Sequence, residues 1–297
     1  ISVTATAYDL HASERQTNSL EAQIAAIAAL DDGRVGAAAV LLETHERVAI
    51  RGDEHFPMQS VFKLPAALCV LHEADEGRVK LDAPIALMAA DLLGGGYNPI
   101  ATEFPNGVTL TVEELLQRMV ANSDNTAADA LLKLVGGPSS VTKRLRELGI
   151  TDIRVDRTER QLALDLTGPG ALERYERDPR DTATPNAAVD LMIKVLMGGG
   201  LSPANQGRLR KWLTESPTGA SRIKGLLPSG TPVAHKMGTG PDRDGVNAAT
   251  NDVGLVILPG GRHMAIAVFI AGSRQPLEAR EAIIARITKA AYDYWTR

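Results

Sequence analysis

Strand patterns lie near the two ends of this chain, with a long helical pattern between them. Val35 to Leu42 and Glu46 to Arg51 read as paired strands around a polar turn. Pro232 to Met237, Val253 to Leu258 and His263 to Ile270 supply three more, the last two turned at Pro259-Gly260-Gly261. From Ser60 to about Met197 the spacing is helical, broken at Gly94-Gly95-Gly96, Gly136-Gly137-Pro138 and Gly168-Pro169-Gly170. Ser19 to Leu30, with a cap at Asn18 or Ser19, and the segment opened by Pro276 through Trp295 read as amphipathic helices. The economical packing is one antiparallel sheet built from both chain ends and flanked by helices, with the middle forming a separate all-α lobe. The expected class is therefore mixed α/β, of the α+β kind. Residues 1–18 form a leader or extended segment, 19–57 and 203–297 an α/β domain, and 58–202 an all-α domain. The cleft between two such lobes is the default place for a site.

Composition narrows the function classes. With 297 residues, 44% of them hydrophobic, the chain can bury a sizeable core without staples. A net charge of -4 argues against nucleic-acid binding through a broad basic surface. The longest apolar runs, such as Ala37 to Leu42, fall far below the ~18 residues of a membrane span. A single cysteine, Cys69, excludes an intrachain disulfide and reads as a buried inert thiol. Ile1 to Asn18 shows no signal-peptide pattern. The six histidines have no metal-ligand spacing, and the glycine-rich stretches match no phosphate loop, so no metal and no cofactor are expected.

Nucleophiles are more informative. Ser-x-x-Lys sets a hydroxyl and an amine one helical turn apart, so that a desolvated lysine can take the serine's proton. The pattern occurs at Ser60-Lys63, Ser140-Lys143 and Ser221-Lys224. Only the first is followed by a nearly continuous apolar helix, Leu64 to Leu71. There the helix N-terminus favours an oxyanion, and burial would lower the lysine's pKa. Ser140-Lys143 lies among Lys143, Arg144 and Arg146, a solvated face. Ser123-Asp124-Asn125 reads equally as a helix cap. Lys236-Met237-Gly238 reads as a strand end where a glycine lets a ligand approach the backbone.

In that order the three elements are those of penicillin-recognising serine enzymes, and the chain resembles the class A serine β-lactamases from about Ser19 to Trp295. Asp156-Arg157-Thr158-Glu159-Arg160-Gln161-Leu162 resembles the family's Ω-loop motif, Arg180-Asp181-Thr182 with Pro185 its exit, and Tyr97-Asn98-Pro99 its cleft rim. Thr218-Gly219, Arg222-Ile223 and Gly225-Leu226 match the segment before the lysine strand. The resemblance implies a nucleophile at Ser60, general bases at Lys63 and Glu159, and a proton-passing Ser123 aided by Lys236. It further implies an oxyanion hole from the amides of Ser60 and Thr239, and substrate contacts at Tyr97, Asn125, Arg222, Gly238 and Thr239. The implied partner is a small β-lactam, with no nucleic acid and no membrane, acted on by a monomer in the periplasm or outside the cell. Glu159 favours a β-lactamase over a D-alanyl-D-alanine peptidase, an esterase or a slowly deacylating penicillin-binding protein of the same fold.

The sequence departs from the family in three places. Met237 stands where a hydroxyl is usual, and Ala163 where an asparagine helps hold the deacylating water. The Ω-loop, 156–185, is several residues longer, with Gly168-Pro169-Gly170 as a sharp turn expected to loosen Glu159. Gln161 and Asp165 are the nearby candidates to replace the missing amide.

Overall fold

The computed structural model describes residues 20–94 and 97–297. The expected leader, the cap of the first helix and Gly95-Gly96 lie outside the described residues. Helix α1 (20–28) leads into strands β1 (Arg34–Leu41) and β2 (Glu46–Ile50). Strand β3 (Phe56–Pro57) and a 3-10 turn (Gln59–Phe62) open α2 (Lys63–Asp75). Next come β4 (Pro84–Met88), α3 (Pro99–Glu103), β5 (Gly107–Thr111), α4 (Val112–Ala121), α5 (Asn125–Leu134) and α6 (Pro138–Glu147). The loop from 156 to 185 carries α7 (Glu159–Asp165), α8 (Ala171–Glu176) and β6 (Thr182–Ala183). After α9 (Pro185–Met197) and α10 (Pro203–Thr214) follow β7 (Val233–Thr239), β8 (Asp242–Arg243) and β9 (Val246–Asn247). Strands β10 (Thr250–Ile257) and β11 (His263–Ala271) then precede α11 (Leu277–Thr296).

The two chain ends meet in one antiparallel sheet of order β2-β1-β11-β10-β7. Its central strands read as unbroken apolar runs because both faces are covered. The alternation is still visible in who packs where. Val35, Ala37, Ala39 and Leu41 face α1 and α11, against Leu20, Ile24, Ile284 and Trp295. Ala38 and Val40, with Ala267 and Phe269 of β11, face the helical body. There α2 is the hub, buried at every position from Lys63 to Leu71, with α4, α5, α6, α9 and α10 around it. His235 and Asp252, both fully buried, pair at 2.9 Å across β7 and β10, a structural use of a histidine.

The stretch read as wholly helical, from Ser60 to about Met197, contains one short strand pair, β4 with β5, and one strand, β6, of a second. Strands β4 and β5 form a ribbon in register Pro84↔Thr111 to Met88↔Gly107. Val108, Thr109 and Thr111 favour this extended, half-exposed backbone. Gly107 closes it at φ +98°, where a Cβ would sit 2.4 Å from the Leu87 carbonyl oxygen. Strand β3 pairs with β6, tying the approach to Ser60 to the exit of the long loop. Both pairs are too short to leave a periodic trace.

Phe56 joins these parts. It is fully buried, stacks on Phe269 of β11 at 6.0 Å, and carries the Arg34 guanidinium 4.7 Å from its ring centre. Phe56→Ala should lower the unfolding free energy by about 3–5 kcal/mol, read from chemical denaturation as a lower midpoint at unchanged slope.

Candidate active site

The turn before Ser60 is fixed from several sides. The Asn251 side-chain amide of β10 donates to the carbonyls of Pro57 (2.8 Å) and Met58 (3.0 Å). The Met58 N–H donates to the Asp181 carbonyl at the loop exit (2.9 Å). Gln59 is held at φ +48°, in the left-handed region, and its side-chain amide donates to the Tyr175 hydroxyl of α8. Strand β7 passes so close that a Cβ on Gly238 would lie 2.5 Å from the Met58 oxygen and 3.1 Å from the Ser60 nitrogen. Glycine here admits the protein's own turn.

Ser60 accepts a hydrogen bond from Lys63 Nζ at 3.0 Å. Lys63 is fully buried, and its ammonium also donates to the Ser123 carbonyl (2.7 Å) and to Asn125 Oδ1. It pairs with Glu159 Oε1 at 2.9 Å. A buried ammonium survives only when its protons are satisfied and its charge is matched.

Ser123 is held at φ +60°, so that its carbonyl meets Lys63 while its hydroxyl accepts from Lys236 Nζ at 2.9 Å. Asp124 does the capping that the tripeptide suggests. One oxygen accepts the Ala127 N–H (2.8 Å), the other the Ile100 N–H (2.7 Å), which anchors the segment after Tyr97. Lys236 is nearly fully buried on β7. Desolvation, and then the nearby charge of Lys63, holds its ammonium well below the ordinary lysine range.

Glu159 is the first residue of α7, whose capping box is closed by Thr158 and Gln161. Asp129 of α5 accepts the N–H groups of Glu159 (2.6 Å) and Arg160 (3.1 Å). Burial pushes the Asp129 carboxyl up, against the lowering effect of these two bonds. The loop neck is held by Arg157, whose guanidinium reaches Asp181 (2.6 Å), Asp165 (2.9 Å) and Asp178 (3.1 Å). Gly168 and Gly170 do adopt left-handed turns, but on the far side of α7 from Glu159, whose N-terminal end is pinned.

Ser60, Ser123, Asn125, Glu159, Tyr97 and Thr239 line one open cleft of about 770 Å³. Leu162, Ala163, Leu164 and Leu166 of the long loop form its apolar wall, and Met237, Pro241 and Arg243 its opposite rim.

The comparisons agree with this geometry. Residues 19–295 match the model of the β-lactamase enzyme family. Beta-lactamase VEB-1 of Pseudomonas aeruginosa is 39% identical over 95% of this chain and 92% of its own length. Extended-spectrum beta-lactamase PER-1 of the same organism is 36% identical over 94% and 88%. The crystal structure of a representative class A β-lactamase from Bacteroides cellulosilyticus superposes with a TM-score of 0.86, at 31% identity, covering 95% and 98% of the two chains. The chain is a class A member of the β-lactamase enzyme family.

Three readings of the sequence change against this β-lactamase's structure. Arg222 does not line the cleft: it is 2% exposed, donates to the carbonyls of Gly238 (3.0 Å) and Asn251 (2.9 Å), and holds Thr239 Oγ1 at 2.7 Å. Gly238 is required by the close packing of β7 on the serine turn, a demand that the ligand-approach reading did not include. Gln161 and Asp165 do not replace the amide missing at Ala163, because one closes the α7 capping box and the other pairs with Arg157 and Arg180. The rejected Ser-x-x-Lys pairs stay apart from the cleft: Lys143 is exposed, and Lys224 turns to the Ser216 carbonyl (3.4 Å). Asp129, Gln59 and Tyr175 escaped the sequence reading. Only Gln59, next to Ser60, had a positional signal.

Burial, and then the charge of Lys63, lowers the Lys236 titration, so that as pH rises through its folded pKa the ammonium becomes a neutral amine. The alkaline limb of kcat/KM should therefore fall below the ordinary lysine range, near 10.4, and shift upward in Lys236→Arg. Identical limbs in the two proteins would assign the titration elsewhere.

Proposed function

We propose that this β-lactamase opens the lactam ring through an acyl-enzyme on Ser60, which water activated by Glu159 then hydrolyses. The observation that carries the reading is the placing of Lys63 Nζ between Ser60 Oγ at 3.0 Å and Glu159 Oε1 at 2.9 Å. An ammonium that donates to the serine cannot also accept its proton. Lys63 first passes a proton to Glu159, and then takes the one that Ser60 releases on attacking the carbonyl carbon. The carbon–nitrogen bond of the ring breaks and the nitrogen takes the Ser123 proton, with Lys236 at 2.9 Å steadying the Ser123 oxygen; Lys63 reprotonates Ser123, and Glu159 returns its proton to Lys63 and is a carboxylate again. The amides of Ser60 and Thr239 serve as donors to the oxyanion. In the second half Glu159 takes a proton from water, hydroxide adds to the ester carbonyl, and Ser60 departs with its proton restored. Glu159 so close to Lys63 favours this hydrolytic cycle over a peptidase or a one-turnover binder.

The substrate's carboxylate is received by Thr239, with Lys236 behind it, and its acylamide by Asn125. Arg222 acts on the carboxylate only by orienting the Thr239 hydroxyl. That hydroxyl also lies 3.6 Å from Met237 Sδ, which accepts its proton weakly. The wide cleft and its leucine wall suit β-lactams with bulky side chains, in keeping with the extended-spectrum name of the PER-1 relative. No helix of the described residues is long and apolar enough to cross a membrane. We place the enzyme in the periplasm or outside the cell, as a monomer, on the family resemblance.

Mass spectrometry after penicillin treatment tests the cycle. Ser140→Ala and Ser221→Ala should carry the penicilloyl adduct and Ser60→Ala none, while Glu159→Ala should accumulate it on Ser60. An adduct on Ser60→Ala, or turnover of Glu159→Ala at the parent rate, would overturn the assignment.

Met237 leaves the carboxylate one hydroxyl short. A hydrogen bond to a charged group is worth about 1.5–3 kcal/mol, so Met237→Thr should lower KM for penicillins roughly ten- to hundredfold in steady-state assays. An unchanged KM would mean that Thr239 already satisfies the carboxylate.

A further inference from the structure

We propose that Tyr175, on the helix inserted in the long loop, is a positioning residue for the nucleophile, acting through Gln59 on the Ser60 backbone. The proposal rests on the acyl-enzyme reading above. Gln59 stands in the left-handed region at φ +48°, a conformation costly for a residue with a side chain unless its surroundings impose it. Those surroundings are specific. The Gln59 side chain is 7% exposed and wedged beneath the end of β7. A Cβ on Gly238 would come within 3.2 Å of its Cβ, and one on Gly240 within 3.2 Å of its Nε2. The one hydrogen bond from its amide goes to the Tyr175 hydroxyl.

Tyr175 is itself fixed. It is 3% exposed, packs with Leu162, Leu166 and Ala248 in a small separate core, and lies with its ring 5.7 Å from the Arg157 guanidinium. Burial pushes its phenol further up from the ordinary range, so the hydroxyl stays neutral and can accept from the amide. Helix α8 therefore serves the serine turn as well as the loop that carries it. It holds the residue that sets the direction of the Ser60 N–H, a donor to the oxyanion. The bond also links the two catalytic steps, since the Arg157 that faces Tyr175 anchors the loop carrying Glu159.

A double-mutant cycle tests this on the full-length protein. Tyr175→Phe keeps the ring and removes the hydroxyl; Gln59→Met removes the amide while keeping the length. Stopped-flow acylation by a chromogenic cephalosporin is the first readout, and affinity for a boronic acid that mimics the tetrahedral intermediate is the second. Each single variant should acylate about tenfold more slowly and bind the boronic acid correspondingly less well, with KM little changed. The double variant should lose no more than either single one. Losses that multiply, acylation at the parent rate in Tyr175→Phe, or a defect confined to deacylation would each overturn the proposal. The last outcome would mean that the inserted helix merely supports Glu159. Absence of an adduct on Ser60 in Glu159→Ala, where deacylation is blocked, would overturn the acyl-enzyme reading and this proposal with it, and mass spectrometry reads that separately.

Discussion

A lysine ammonium with no access to water organises this molecule. Lys63 is fully buried at the start of the most buried helix, and the oxygens that satisfy it converge from three places. Ser60 lies in the preceding turn, the Ser123 carbonyl and Asn125 lie at the head of α5, and Glu159 heads α7 of the long loop. Removing Glu159 leaves that charge uncompensated in a low-dielectric interior, which costs several kcal/mol, and removing a neutral acceptor leaves one of the ammonium's protons unsatisfied. The converging elements are thus bound to one another by the requirement that this cation be solvated by protein. Chemistry and fold share the same interaction.

That requirement explains the odd backbone around it. Gln59, Ser123 and Asp181 all stand at positive φ without being glycine, and each directs a group at the site or its scaffold. Ser123 turns its carbonyl to one lysine and its hydroxyl to the other. Asp181 gives its carbonyl to Met58 and its carboxylate to Arg157 and to two backbone N–H groups. Strain of this sort persists only where the surrounding bonds over-determine it.

Much of this was legible in the residues. The sheet from both chain ends followed from where apolar runs occur, and the register then confirmed which residues share a face. Ser60, Lys63, Ser123, Asn125, Glu159, Lys236 and Thr239 were all placed by short motifs, and the structure brings them together. The ribbon of β4 and β5 was not legible, because five-residue strands half open to solvent have no sustained period. Nor were Arg222 and Gly238: both lie in matching motifs, but a motif cannot say whether a side chain faces the ligand or the protein's own turn. Tyr175 and Asp129 were invisible for a further reason. Each acts on a group distant in sequence, through a hydrogen bond that only the closed fold creates.

The two lysines divide the work by how each is neutralised. Lys63 has a carboxylate beside it, so its charge is matched and a proton can move along Ser60, Lys63 and Glu159 without a net charge entering the interior. Lys236 is as deeply buried, but among the described residues it donates to the Ser123 hydroxyl and the Met237 carbonyl, neither of which carries charge. Its ammonium is therefore destabilised, and an anion arriving beside Thr239 is the partner that would relieve it. On the proposed function, part of the substrate's binding energy is the cancellation of the cost of burying this ammonium. On the same proposal, with Met237 offering sulfur where a hydroxyl is usual, recognition of the carboxylate falls more heavily on that electrostatic contribution and on Thr239, held in place by Arg222.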